Sequence, residues 1–255
     1  MTPLAPLRPR PAVALLVWAC LTSNAQAQPN GETPRPVQVW GAVNVNSKGI
    51  SLVPALTLGR PSAIVDVGVR KGNLSFEPQL RFALDGKPWS FLLWGRYRAV
   101  TREKFRLTVG GHPAYSFRTM TAGTNGVSRD LIEVWRYAAG EVTPTWTLSP
   151  RTSVGGYYLY SHGIDRGAPP HTHFVAARAY LADIGVGADY VVQAAPQFYF
   201  LRTNGQNGTY LSASASFGRR GSPWSITTIV NQPVKSDVVR GQSFLWNVGV
   251  TRAFR

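Results

Sequence analysis

Apolar and polar residues alternate along this chain in blocks of about ten positions, and the blocks recur from one end of the sequence to the other. Between Leu74 and Leu84 the even positions are Leu74, Phe76, Pro78, Leu80, Phe82 and Leu84, and the odd ones Ser75, Glu77, Gln79, Arg81 and Ala83. Phe105, Leu107, Val109, Pro113, Tyr115 and Phe117 are set against Arg106, Thr108, His112 and Ser116 in the same way. Val186, Tyr190, Val192, Phe198 and Phe200 alternate with Asp189, Gln193, Gln197 and Tyr199, and Leu211, Ala213, Ala215 and Phe217 with Ser212, Ser214 and Ser216. Successive side chains of an extended chain point to opposite faces, so each block is a strand with one apolar and one polar face.

Length decides what kind of strand. Strands of soluble sandwiches run to about five or six residues, whereas a tilted strand that crosses a bilayer needs roughly 9 to 11. The blocks match the second class. Unpaired backbone groups are intolerable in hydrocarbon, so such strands must close on one another into a barrel. A membrane-spanning helix would need about 20 apolar residues, and the longest apolar run, Ala12 to Leu21, is far shorter. Eight Trp, 10 Tyr and 11 Phe argue against disorder, and a single Cys excludes a disulfide scaffold.

Residues 1–27 read as an export signal, with Arg8 and Arg10 as the basic start, Ala12 to Ala19 as the apolar stretch, and Ala25-Gln26-Ala27 as the small-x-small cleavage site. A lipid-attachment box at Val17-Trp18-Ala19-Cys20 is the competing reading, weakened by the bulk of Trp18. Loss of the two arginines takes the net charge from +15 to +13.

Twelve strands are predicted, over 50–58, 63–70, 74–84, 89–100, 105–117, 131–148, 153–161, 173–182, 186–201, 210–218, 224–231 and 244–254. The segment Val37 to Val45 would make the number odd, which single-chain bacterial barrels avoid. It is therefore read as a periplasmic lead-in, an inserted plug or an extra pairing strand, within a stretch 28–49 that precedes a barrel of residues 50–255. The long connections 118–130 and 232–243 are expected outside the cell, and the short turns near Gly72, Pro150, Gly185 and Ser222 in the periplasm.

The last strand carries Phe244, Trp246, Val248, Val250 and Phe254 in alternation up to an aromatic end. In this the chain resembles Gram-negative outer-membrane β-barrels, over essentially all of the sequence after residue 27. Arg255 departs from the pattern by moving the aromatic to the penultimate position. The run Phe82-Ala83-Leu84-Asp85-Gly86-Lys87-Pro88-Trp89 also looks like a hairpin of such barrels. The resemblance implies an all-β, antiparallel up-and-down transmembrane barrel in the bacterial outer membrane. It also implies contact with outer-membrane lipids and lipopolysaccharide, and assembly machinery that reads the C-terminal strand. It brings no activity and no cofactor with it, and leaves the oligomeric state open.

Function must then lie in the lumen. Twelve strands enclose more space than the eight-stranded barrels that side chains fill, and less than the 16-stranded porins. Alternation assigns Asp66, Arg70, Glu77, Arg81, Arg96, Arg98, Arg106, Arg118, Glu133, Glu141 and Asp189 to the inside. A tight turn at Asp85 to Pro88 would pair Leu84 with Trp89 and set Glu77 opposite Arg96, with Arg98 near Arg106 in the next hairpin. Two readings stay open: an anion-attracting constriction of Arg81, Arg96, Arg98 and Arg106, or a salt-bridged network that includes Glu77 and Glu141 and fills space. The surplus basic residues are expected to meet lipid phosphates rather than nucleic acid. Trp94 points inward between Leu92 and Arg96, while Trp40, Trp89, Trp135, Trp146, Trp224 and Trp246 are expected in the interfacial girdle.

An enzyme has less support. Ser161 and His162 are neighbours, so an extended strand points them to opposite faces. His171 and His173 share a face and, with His162 and Asp165, could form a metal site at the rim, but solvated loop histidines explain them as well. Most consistent with these residues is a narrow passive channel for small hydrophilic solutes, anionic ones included. A lipid-modifying outer-membrane enzyme and a pore-less structural or surface-binding barrel are the alternatives.

Overall fold

A computed structural model describes residues 36–124, 127–238 and 244–255; the signal segment expected over 1–27 lies outside them. Twelve antiparallel strands pair in chain order and close on themselves. They are β1 (Gln38–Asn46), β2 (Ser62–Lys71), β3 (Leu74–Ala83), β4 (Pro88–Thr101), β5 (Phe105–Thr124), β6 (Val127–Ser149), β7 (Thr152–Gly163), β8 (His171–Val186), β9 (Tyr190–Thr203), β10 (Gln206–Arg219), β11 (Trp224–Ser236) and β12 (Leu245–Phe254). Closure leaves no edge strand.

The first strand is not the one expected. Residues 50–58 do not form a strand; a 3-10 turn, Pro54–Leu56, sits among them. Pro54 cannot donate to a ladder, and Gly59 takes a positive φ of 76° just before Pro61. Its place is filled by β1, whose Val39, Val43 and Val45 lie on the exposed face. The stretch read as a lead-in or plug is thus a closing strand, paired with β2 on one side and β12 on the other. Because β1 replaces one strand by one, the number stays twelve and every later strand keeps its direction.

Two connections are also corrected. Residues 118–124 and 127–130 continue the β5–β6 ladder rather than forming a loop, and β11 runs on to Ser236. The β5–β6 hairpin, with strands of 20 and 23 residues, is longer than a bilayer crossing needs. One end of the barrel carries the connections 47–61, 84–87, 164–170 and the stretch after Ser236. The other carries only short turns, together with residues 36–37 and Arg255.

Outward positions hold an apolar belt that includes Val65, Val69, Phe76, Phe198, Phe200, Leu211, Phe217, Ile226, Val248 and Val250, most of them exposed. Trp146, Trp224 and Trp246 belong to this face. The seam between β1 and β12 is fitted by a glycine: Gly41 pairs with Phe254, and a Cβ there would overlap the Phe254 ring and lie 2.6 Å from the Asp66 carbonyl oxygen. Gly41→Ala is expected to destabilise the barrel by about 1–3 kcal/mol through overpacking. A lowered urea midpoint with an unchanged slope would record it, and an unchanged midpoint would show that the seam tolerates a methyl group.

Candidate channel lumen

The polar face of every strand points inward, and its chemistry changes around the circumference. On β9 to β12 and β1 the inward residues include a band of amides and hydroxyls: Gln193 and Gln197, Ser212, Ser214 and Ser216, Thr227 and Asn231, Asn247 and Thr251, then Asn44 and Asn46. They bond one another, Asn44 Nδ2 donating to Thr227 Oγ1 at 2.8 Å and to Thr251 Oγ1 at 2.5 Å. The facing wall, β2 to β8, carries charge. Between the walls lies a cavity of 360 Å³, lined among others by Asn44, Asp66, Gln79, Gln193, Ser214 and Thr227.

On the charged wall acids and arginines alternate across successive strands. Arg70 lies 3.4 Å from Glu77, whose other oxygen takes Arg96 Nη1 at 2.5 Å. Arg96 Nε donates to Glu141 at 2.6 Å, and Tyr157 Oη donates to the second Glu141 oxygen at 2.7 Å. The Arg178 guanidinium lies 4.4 Å from the Tyr157 ring centre. Arg96 and Glu141 sit on β4 and β6, two strands apart, and the residue between them on β5 is Gly110. A Cβ at Gly110 would stand 3.0 Å from Arg96 Cγ and from the Gly95 carbonyl oxygen, and 3.1 Å from Glu141 Oε1. The bridge crosses β5 because that position has no side chain.

Gly110→Ala should therefore cost about 1–2 kcal/mol, through crowding of a well-packed pair. Gly95→Ala is the control, because its Cβ would meet nothing closer than Gly111 O at 3.7 Å. Equal urea midpoints for the two variants would remove Gly110 from the bridge.

The expected hairpin register is shifted by two. The turn closes on Phe82 and Pro88 rather than on Leu84 and Trp89, and past a bulge at Arg81/Phe82 the ladder sets Glu77 opposite Trp94 and Arg96 opposite Ser75. The Glu77–Arg96 contact forms on the diagonal instead, which a long guanidinium side chain can span. Arg98 lies opposite Thr108 and Arg106 opposite Thr145, near the short-turn end, with no contact between the two arginines. Arg81 donates to Gln79 Oε1 at 2.7 Å and lies 5.1 Å from the Trp89 ring centre. The four arginines read as a constriction are thus not gathered at one level. Arg96 is tied into the ion-pair network with Glu77 and Glu141, and Arg98 lies within reach of the Arg70 and Glu77 charges without a salt bridge to Glu77, while Arg81 and Arg106 stand apart.

Trp94 points inward as expected, but it is buried between Arg96, 4.2 Å from its ring centre, and His112, 3.8 Å away. Three tryptophans assigned to the girdle also turn inward. Arg70 covers Trp40 at 5.0 Å, Arg118 covers Trp135 at 3.7 Å, and Trp89 is buried against loop 47–61. Guanidinium groups stacked on rings lose orientational freedom and keep their N–H edges for other partners.

The feature that sequence reading missed is loop 47–61. Leu52 and Val53 pack against Phe174, Tyr199, Leu201 and Tyr210, which project inward from β8, β9 and β10. Phe174, Tyr199 and Tyr210 stack face to face at 4.7 Å intervals, and both tyrosines are fully buried. Tyr199 Oη donates to Leu52 O at 2.9 Å, Trp89 Nε1 to Leu56 O at 2.8 Å, and Asn247 Nδ2 to Lys48 O at 2.8 Å. Arg60, at the far end of the loop, meets Asp85 at 2.5 Å. The Lys87 amide and that guanidinium hold the Asp85 carboxyl below the usual carboxylate range. The loop therefore lies inside the long-loop end of the barrel, held at several points.

Ser161 faces the lumen and His162 the outside, so they form no catalytic pair. His162, His171 and His173 come together on the outer surface, but among the described residues no group of three or more His, Cys, Asp or Glu is placed to hold a metal ion. The rim metal site is not formed.

No family model and no curated protein matches the chain. Solved structures do. A KdgM porin in complex with disordered oligogalacturonate is 8% identical, with 85% of this chain and 99% of that one covered and a TM-score of 0.51. A loop-deletion mutant of OmpT, an outer membrane protein of Vibrio cholerae, is 10% identical over 86% and 99%, with a TM-score of 0.45. The β domain of the Bordetella autotransporter BrkA is 11% identical over 85% and 98%, also at 0.45. The first of these likenesses establishes the fold: a closed, porin-like barrel of the outer-membrane type.

Proposed function

We propose that this protein is a narrow passive channel of the bacterial outer membrane for small hydrophilic solutes, with anions favoured. The supporting observation is the two-sided lumen, with amides and hydroxyls on one wall and inward guanidinium groups on the other; the 360 Å³ cavity itself is lined by the amides, the hydroxyls and Asp66. Such a pair of walls replaces the water around a hydroxyl-rich, negatively charged solute without binding it deeply. The inward arginines 70, 81, 96, 98, 106, 118 and 178 outnumber the inward acids Asp66, Glu77, Glu133 and Glu141 among the described residues. Oligogalacturonate, present in the KdgM structure, is a solute of this chemical kind. In this reading the short-turn end faces the periplasm and the long-loop end the outside.

The test is single-channel recording of the refolded chain in a planar bilayer under a salt gradient. Steady conductance with a reversal potential on the anion side is expected, moving toward zero in Arg98→Gln and Arg106→Gln. A folded barrel without conductance would favour the second reading, a pore-less barrel, for which the inward loop 47–61 is the specific support.

A further inference from the structure

Basic side chains lie side by side on the outer surface of four successive strands at the long-loop end. β6 carries Arg136, β7 His162, β8 His171 and His173, and β9 Arg202. The register sets His162 opposite His171, and His173 opposite both Tyr160 and Arg202. On the same face, toward the middle of the barrel, follow Val175 and Ala177 on β8 and Phe200 and Phe198 on β9. The patch thus caps the apolar belt, at the height where lipid headgroups begin.

Its rings are tied down. Tyr158 Oη lies 3.0 Å from His173 Nδ1, Tyr160 Oη lies 2.8 Å from His171 Nδ1, and His162 Nδ1 donates to Pro170 O at 2.8 Å. The His162 and His171 ring centres are 5.4 Å apart, and those of Tyr160 and His173 5.1 Å. With their Nδ1 atoms engaged by tyrosine hydroxyls, which can donate to them, His171 and His173 keep Nε2 edges with no hydrogen bond among the described residues. The acid on this arc, Asp165, is taken by Arg136 at 2.6 Å. That guanidinium and the Arg136 amide hold its carboxyl below the usual range. Arg202 is exposed and meets no acid among the described residues.

We propose that this patch binds the phosphate of a phosphorylated lipid headgroup in the leaflet around the long-loop end. A phosphate oxygen accepts strongly from guanidinium and imidazole N–H groups, and the attraction is stronger at the membrane surface than in bulk water. Preformed ring positions lower the ordering cost of the contact, and the flanking tyrosines suit the interface. The inference rests on the outer-membrane placement proposed above, but not on whether the pore conducts.

The experiment places the refolded chain in phosphatidylcholine nanodiscs holding a minor fraction of a bisphosphorylated lipid A, or the same glycolipid without its phosphates. Glycolipid retained by the protein on transfer to detergent is then counted by native mass spectrometry. Retention of the phosphorylated form is expected to exceed the other by about tenfold, the value of one charge-assisted hydrogen bond of modest strength. The combined variant H171Q/H173Q/R202Q should lose that preference, while R219Q, at the opposite end, should keep it. Equal retention of the two glycolipids, or an unaltered preference in the triple variant, overturns the proposal. So does full displacement by millimolar inorganic phosphate, which would mark a simple anion site. Heat-dependent gel migration confirms that each variant is folded. A chain that never inserts would instead overturn the membrane reading itself, a result separate from insertion without discrimination.

Discussion

Replacing residues 50–58 by a short Gly-Ser turn is expected to raise the single-channel conductance of the reconstituted protein by about twofold or more, because twelve strands enclose a lumen wider than side chains alone fill. At the long-loop end that space is taken by backbone and by Leu52 and Val53, seated on the Phe174–Tyr199–Tyr210 stack. None of the replaced residues takes part in a strand ladder, so the barrel closes as before. Shortening a flexible connection also changes closure entropy only slowly. Tyr199→Phe is the gentler version: it removes the hydrogen bond to Leu52 O but keeps the ring, and should produce brief excursions to the larger conductance. Equal conductance in a folded loop-replaced barrel would mean that the narrowest point lies elsewhere, beside Arg96 or at the short-turn end.

The same loop shows where reading from sequence stops. Period-two alternation identifies strands because burial against lipid on one face and water on the other is a one-dimensional property of the chain. It therefore gave the fold and all but one strand, and it separated Phe198 and Phe200 from Gln197 and Tyr199 correctly. At 50–58 the residues are as apolar as a strand, but the apolar surface they cover is the inside of the barrel, formed by residues more than a hundred positions away. Pro54 was the signal that weighed against a strand there. Residues 37–45 alternate as well as any block, but with 50–58 also reading as a strand they make the number odd, so a closing strand, a lead-in and a plug look alike in sequence. The charged wall was legible as a set of inward residues but not as contacts. The turn closes on Phe82 and Pro88 instead of Leu84 and Trp89, which moves the register, and whether Arg96 reaches Glu141 depends on Gly110, which has no side chain for a pattern to detect. Trp40, Trp89 and Trp135 fell near strand ends, where a girdle and a stacked arginine look alike in sequence.

Arg96→Met should destabilise the barrel by about 3 kcal/mol, since it leaves Glu141, with a side chain 2% exposed, holding a charge answered only by the Tyr157 hydroxyl. Glu77 loses less, because Arg70 and Ser75 still face it. The double variant Arg96→Met/Glu141→Leu removes both ends of the bridge and should recover most of the loss, as an apolar pair of similar volume often does. Urea midpoints for the single and double variants give the coupling directly, and additive losses would mean that the ion pair in the lumen is energetically idle. The electrical readout is independent of stability. Arg96→Met subtracts a positive charge from the lumen and should move the reversal potential toward cations. Glu141→Leu should move it toward anions, and the double variant should return near the starting value. A network that serves only as filling would show the stability coupling without the opposed shifts. A network that also sets the field of the pore shows both, because the same two charges then act on neighbouring side chains and on passing ions.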